Sequence, residues 1–178
     1  EDIWAKSLMS AGTFWPSLFL SDDMRAVDVL CARPEVDATR IGCAGLSGGG
    51  CRTVYLAGID ERIQTGICAG MMTTWRDIAL FKNWTHTWMM WTPMLATHLD
   101  YAEILALQLP KPMMVLSNNE DPLFTLSEMH RADEMLRAIY DKAGVSERYA
   151  GKFYPGPHKL DSEMQADAWA WFDRWLKA

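Results

Sequence analysis

Two spacings of apolar positions alternate along this chain. Short continuous apolar runs fall at residues 40–44, 65–69, 113–117 and 152–154. Runs of that kind read as buried strands of a parallel sheet. Between them apolar residues recur three or four apart. One such stripe is Met24, Val27, Leu30 and Cys31; a second is Leu126, Met129, Ala132, Leu136 and Ile139. A third, Met164, Ala168, Trp171, Phe172, Trp175 and Leu176, ends the chain. That period predicts amphipathic helices.

The punctuation between these stretches sets their limits. Ser21-Asp22-Asp23 opens the first helix, because a serine oxygen can take a free N–H and acids suit the positive helix end. Pro34 stops it. A helix over 48–57 closes at Gly58 as a left-handed cap, and the helix over 125–142 closes at Gly144. A short helix covers 101–107, and the last begins near Ser162. Residues 1–20 keep no clean period and read as irregular, with a short helix over 3–9. Strands alternating with helices predict an α/β chain: a mostly parallel sheet with helices on both faces. No repeat, linker or low-complexity segment interrupts it, so residues 1–178 read as one domain.

In such sheets functional groups gather beyond the carboxyl ends of the strands. Three ends carry candidates. The first strand runs into Gly45-Leu46-Ser47-Gly48-Gly49 and then directly into a helix. Gly-x-Ser-x-Gly between strand and helix is the layout of a nucleophile elbow, which presents the serine hydroxyl above the sheet. Asn118-Asn119-Glu120-Asp121 follows the third strand, and Pro155-Gly156-Pro157-His158 follows the last. A serine hydroxyl needs a base to take its proton, and the base needs an acid to orient it. Ser47 is therefore the candidate nucleophile and His158 the base. Asp121 is the acid, with Glu120 as the neighbouring alternative. The N–H of Gly48, at a helix start, is the candidate oxyanion donor. His130, among Arg131, Asp133 and Glu134, reads as solvated.

Composition narrows the class. A net charge of −6 argues against nucleic-acid binding and leaves no polybasic membrane patch. No apolar run is long enough to span a bilayer. The four cysteines, Cys31, Cys43, Cys51 and Cys68, form no CxxC pair, so a zinc or dithiol reading has no footing. Cys43 and Cys68, in apolar runs, read as buried thiols. No metal or cofactor is expected. Four of the nine tryptophans, Trp75, Trp84, Trp88 and Trp91, crowd residues 72–100. That segment reads either as core filling or as a cap over the substrate pocket, with Asn83, His86 and His98 as pocket candidates.

The run Val36-Asp37-Ala38-Thr39-Arg40-Ile41-Gly42 into the elbow resembles bacterial α/β-hydrolases of the dienelactone-hydrolase and acetyl-xylan-esterase type. So do Asp121-Pro122-Leu123-Phe124 and the ending His158 with Trp171-Phe172-Asp173-Arg174-Trp175-Leu176. The resemblance spans the chain from about residue 21 onward. It implies a three-layer fold and a cofactor-free serine esterase with Ser47, Asp121 and His158 as triad. The substrate would be a small-molecule or carbohydrate ester. That fold normally places strands before the elbow, so the N-terminal strands, with a second oxyanion donor, are expected outside these residues. Three functions follow from the residues: an ester hydrolase, a prolyl-oligopeptidase-like peptidase, or a hydrolase-like fragment without activity. Compartment and oligomeric state are not legible.

Overall fold

A computed structural model describes residues 1–177. In chain order the elements are α1 (Asp2–Ser10), α2 (Trp15–Cys31), β1 (Ile41–Leu46), α3 (Gly48–Ile59), β2 (Ile63–Ala69), α4 (Tyr101–Leu105), β3 (Met113–Asn118), α5 (Leu126–Lys142), β4 (Tyr149–Tyr154) and α6 (Ser162–Leu176). The four strands form one parallel sheet in the order β1-β2-β3-β4. Their carboxyl ends therefore lie along one rim, and every candidate loop leaves from it.

The two central strands, β2 and β3, are buried on both faces because both faces are covered. In β2, Cys68 enters a core with Cys51, Val54, Met113 and Val115, beneath α2, α3, α4 and α5. Its neighbours Ile67 and Ala69 point the other way and meet Met114, Leu116, Met164 and Trp171 beneath α6. The two-residue alternation of a strand thus divides one apolar run between two cores. Trp171 donates its indole N–H to the Thr65 hydroxyl at 2.9 Å, and that hydroxyl donates to the Pro112 carbonyl at 2.7 Å. The only buried polar side chain of β2 is thereby satisfied.

The structure moves several predicted boundaries. Residues 1–20 are largely helical, and α2 starts at Trp15, well before Ser21. Pro16 sits in the first helical turn, where its missing N–H costs nothing. Ser21 and the two acids are mid-helix, and Asp23 instead pairs with Arg52 on α3 (Nε to Oδ2, 2.9 Å). Gly58 is no left-handed cap: it lies buried within α3, and a Cβ there would stand 2.1 Å from the Ile104 carbonyl oxygen. Its lack of a side chain lets α4 lie directly on α3. Strands β2 and β4 begin earlier than read, at Ile63 and Tyr149, and α4 ends at Leu105. Gly144, with φ +72°, does close the α5 end in the left-handed region.

All four cysteines are free thiols, with Cys51 and Cys68 fully buried and Cys31 and Cys43 half-buried. Burial pushes the Cys51 thiol from 9.0 up to about 12, and Cys68 moves in the same direction. Native protein at pH 8 is therefore expected to leave Cys51 and Cys68 unmodified by a soluble thiol reagent until it unfolds. The linked stability change has a defined sign. Cys51 and Cys68 ionise near 9 only in the unfolded chain, so their contribution to stability falls as the pH rises from 9.0 toward 12. Mass-spectrometric mapping of alkylated cysteines with and without urea checks the first point, and urea midpoints across that range check the second.

Candidate active site

Ser47 stands between the last residue of β1 and the first of α3 with φ +58° and ψ −119°. A non-glycine residue adopts that conformation only when its surroundings enforce it. Three contacts do so. The Ser47 N–H donates to the Ala69 carbonyl at the end of β2 (2.9 Å), and the Ser47 carbonyl takes the first helical bond from Cys51 N–H (3.0 Å). Strand and helix cross so closely that a Cβ on Gly45 would lie 2.2 Å from the Gly49 backbone. One on Gly50 would lie 2.8 Å from the Ala69 carbonyl oxygen. Gly48 opens α3, where first-turn N–H groups have no helical acceptor and face whatever lies above the sheet.

The acid and the imidazole come from the next two strand ends. Asp121 is buried. Its Oδ2 lies 2.6 Å from His158 Nδ1, and its Oδ1 accepts the Leu123 N–H at 3.0 Å. Glu120, its exposed neighbour, turns away and accepts the Gly156 N–H at 3.3 Å. Two loops are laced together here. Asn119 N–H donates to the Tyr154 carbonyl (2.8 Å), Glu120 N–H to the Gly156 carbonyl (3.1 Å), and Lys159 N–H to the Asn118 side-chain oxygen (3.3 Å).

His158 also lies over Gly70: a Cβ on that glycine would stand 2.9 Å from its Cε1. Gly70 follows Ala69, the residue that holds the Ser47 N–H, so the imidazole rests beside the elbow. Its Nε2 is shut off from solvent and has no hydrogen-bond partner. The structure thus assembles the Asp121–His158 pair and leaves the Ser47–His158 bond unmade. Such bonds are often long without substrate.

A second set of residues, invisible in the sequence pattern, fixes the acid loop. Asp77, fully buried in a π-helical turn (Asp77–Phe81), accepts the Thr73 hydroxyl (2.8 Å) and the Thr125 N–H at the head of α5 (3.0 Å). Glu128 accepts the Thr74 hydroxyl (2.6 Å) and an Arg76 N–H (2.9 Å). Lys82 Nζ donates to the Pro122 carbonyl at 2.8 Å. Farther on, Met89 lies over Gly48 and its carbonyl accepts the Cys51 thiol (3.8 Å), while Thr92 shares a hydrogen bond with Tyr55 (2.8 Å). The stretch after β2 thus touches both the acid loop and the elbow helix. Only the ordinary polarity of Thr73-Thr74 and Asp77 hinted at this in the sequence.

The four tryptophans divide between the two readings. Trp75 is core, while Trp84 is 76% exposed. Trp88 and Trp91, with Asn83 and His86, line a cavity of about 420 Å³. His86 packs on Phe124 of the acid loop, ring centroids 4.8 Å apart. His98 is exposed and lines none of this cavity, and His130, also exposed, stacks on Phe153 at 4.2 Å. Among the described residues no cluster of His, Cys, Asp and Glu could hold a metal ion, and no helix is long and apolar enough to cross a membrane.

Comparison with known structures decides the architecture. A glucuronoyl esterase of carbohydrate esterase family 15 from Caldicellulosiruptor kristjansonii superposes with a TM-score of 0.73. The match is 18% identical and covers 89% of this chain and 49% of that one. The chain has the α/β-hydrolase fold. A glucuronoyl esterase from Sporotrichum thermophile gives 0.72 at 18% identity, over 91% of this chain and 52% of its own. The family model for acetyl xylan esterase (AXE1) matches residues 9–86, which contain the elbow but neither Asp121 nor His158. A Bacillus subtilis (strain 168) protein named as a hydrolase, YtaP, is 25% identical over 179 residues, 99% of this chain. The chain spans 59% of the length of that relative. The resemblance is thus to esterases and hydrolases of this fold.

Asp77→Ala removes the acceptor for the part-buried Thr125 N–H and the buried Thr73 hydroxyl. It is expected to lower stability by about 2–6 kcal/mol, at about 1–3 kcal/mol per orphaned donor. Urea unfolding of the variant, with the m-value unchanged, is the check.

Proposed function

We propose that this chain carries the reaction centre of a serine carboxylic-ester hydrolase, with Ser47 as nucleophile, His158 as general base, Asp121 as its orienting acid and the Gly48 N–H as an oxyanion donor. The observation that carries the reading is the 2.6 Å contact between Asp121 Oδ2 and His158 Nδ1, made beside the strained Ser47. Asp121 accepts a hydrogen bond from Nδ1–H, which keeps the proton on Nδ1, so the ring's lone pair is on Nε2, the atom without a partner. That lone pair is the one that must receive the Ser47 proton.

The steps follow from these positions. Ser47 Oγ attacks the ester carbonyl as its proton passes to His158 Nε2. Negative charge grows on the carbonyl oxygen, where the Gly48 N–H stabilises it. The imidazolium, held by Asp121, returns the proton to the departing alcohol, and an acyl-Ser47 remains. Water, deprotonated by the same Nε2, then attacks the acyl carbon; the imidazolium returns that proton to Ser47 Oγ as the acyl–oxygen bond breaks, which frees the acid and restores the serine. The names of the similar proteins favour an ester of a carbohydrate over a peptide bond, and the family model's name favours the acetyl kind. We read residues 1–178 as one domain in which residues 72–100 cap the site.

A fluorophosphonate should label wild-type protein and leave Ser47→Ala unlabelled. Asp121→Asn should lower kcat on an acetyl ester by about 10⁴ with little change in KM, as expected when the base adopts the wrong tautomer. Equal labelling of Ser47→Ala would overturn the assignment of the nucleophile. Turnover of prolyl amides in preference to acetyl esters would replace the esterase reading by the peptidase one.

A further inference from the structure

Gly70, just past the end of β2, answers two demands, and only one of them concerns the backbone. Its φ of +56° lies in the left-handed region, where glycine sits without strain. Gly144 meets the same demand at φ +72°, and a Cβ there would have nothing within 4 Å. At Gly70 a Cβ would stand 2.9 Å from His158 Cε1, 3.2 Å from His158 Nδ1 and 3.1 Å from Leu46 Cδ1. Carbon atoms in ordinary contact are about 3.5–4.0 Å apart, so the imidazole occupies space that any other residue would fill. Cε1 is bonded to both ring nitrogens. A push on it moves Nδ1 relative to Asp121 Oδ2, now 2.6 Å away, and carries Nε2 along. The peptide unit between Ala69 and Gly70 adds a further constraint. Its carbonyl accepts the Ser47 N–H at 2.9 Å, and its N–H donates to the Leu116 carbonyl of β3 at 2.8 Å. A peptide unit is planar and stiff. One plane therefore holds the nucleophile's backbone on one side, is pinned to β3 on the other, and ends at the Cα that faces the imidazole.

We propose that Gly70 is a positioning residue for His158: its bare Cα is the seat of the imidazole, and the peptide it shares with Ala69 sets the spacing between that ring and Ser47. The kinetic consequence rests on the esterase reading, but the seat itself does not require turnover. The fold has little stake in the missing side chain. The atoms that a Cβ would meet belong to two half-buried side chains, His158 and Leu46, which can give way. The stake lies in the geometry of the site. Asp121 draws the ring from one side, Gly70 limits its approach to β2 on the other, and the position of Nε2 follows from the two.

The test compares Gly70→Ala, Gly70→Asn and Gly144→Ala in the full chain. Asparagine tolerates the left-handed region better than alanine but carries a larger side chain. In Gly70→Ala, kcat on an acetyl ester should fall about 100-fold at unchanged KM, a loss that a shift of about 1 Å in a reacting group can cause. Gly70→Asn should fall at least as far. Gly144→Ala should keep the wild-type kcat, while its urea midpoint moves by about as much as that of Gly70→Ala, because both pay for the same backbone conformation. Carbethoxylation of His158, mapped by mass spectrometry with the exposed His130 as internal reference, reads the seat without turnover. His158 Nε2 is closed to solvent, so the reaction should be slow in wild type and Gly144→Ala and severalfold faster in both Gly70 variants. Higher activity in Gly70→Asn than in Gly70→Ala, or wild-type kcat and His158 reactivity in both, would overturn the proposal. The expected pattern of His158 reactivity without any ester turnover in wild type would instead leave the seat standing and remove the esterase reading.

Discussion

The turn at Ser47 is the constraint on which the rest of the site depends. A serine at φ +58° and ψ −119° is unfavourable in isolation, by about 1–3 kcal/mol. Its neighbours hold it there. Glycines at 45 and 50 let the helix return across the strand without collision, and the Ala69 carbonyl fixes the serine's N–H. Parallel pairing of β1 with β2, in register from Gly42 through Leu46, brings that carbonyl into place. Sheet register, glycine placement and side-chain exposure are thus one requirement seen at three levels.

The loops on this rim gather beside that serine. Parallel strands put three loops at the same end of the sheet, and hydrogen bonds between the acid and histidine loops hold Asp121 against His158. Two buried carboxylates, Asp77 and Glu128, anchor the stretch after β2 to the head of α5. These charges are not catalytic candidates. Their work is to keep a long irregular segment in contact with both the acid loop and the elbow helix. A segment with so little regular structure needs such anchors, because its own backbone bonds are few.

Much of this was legible in the sequence, and the failures are instructive. The central strands are legible because they are buried on both faces, and the α5 stripe because one helix face is solvated. The tight strand–helix turn could be read because so close a crossing leaves no room for a Cβ at Gly45. The start of α2 is misplaced in the sequence because Ser21-Asp22-Asp23 has the composition of a helix N-terminus, whereas the helix begins at Trp15 with Pro16 in its first turn. Gly58 was misread because a glycine near a helix end suggests a cap, and the contact that demands it, the Ile104 carbonyl, is remote in sequence. The bonds from Asp77 and Lys82 to the acid loop are equally long-range, and no local pattern announces them. Which of Asp121 and Glu120 lies against the histidine is a matter of geometry: Asp121 turns inward to His158 and Glu120 turns away.

The central claim is that Ser47 carries the acyl group during turnover, in a site completed by His158 and Asp121. Acid-quenching the protein while it hydrolyses an acetyl ester, then mapping its peptides by mass spectrometry, tests this directly. The account predicts a single acetyl adduct on the peptide containing Ser47, gone in Ser47→Ala. Ester turnover that continues with Ser47 unmodified, or an adduct on another residue, would contradict it.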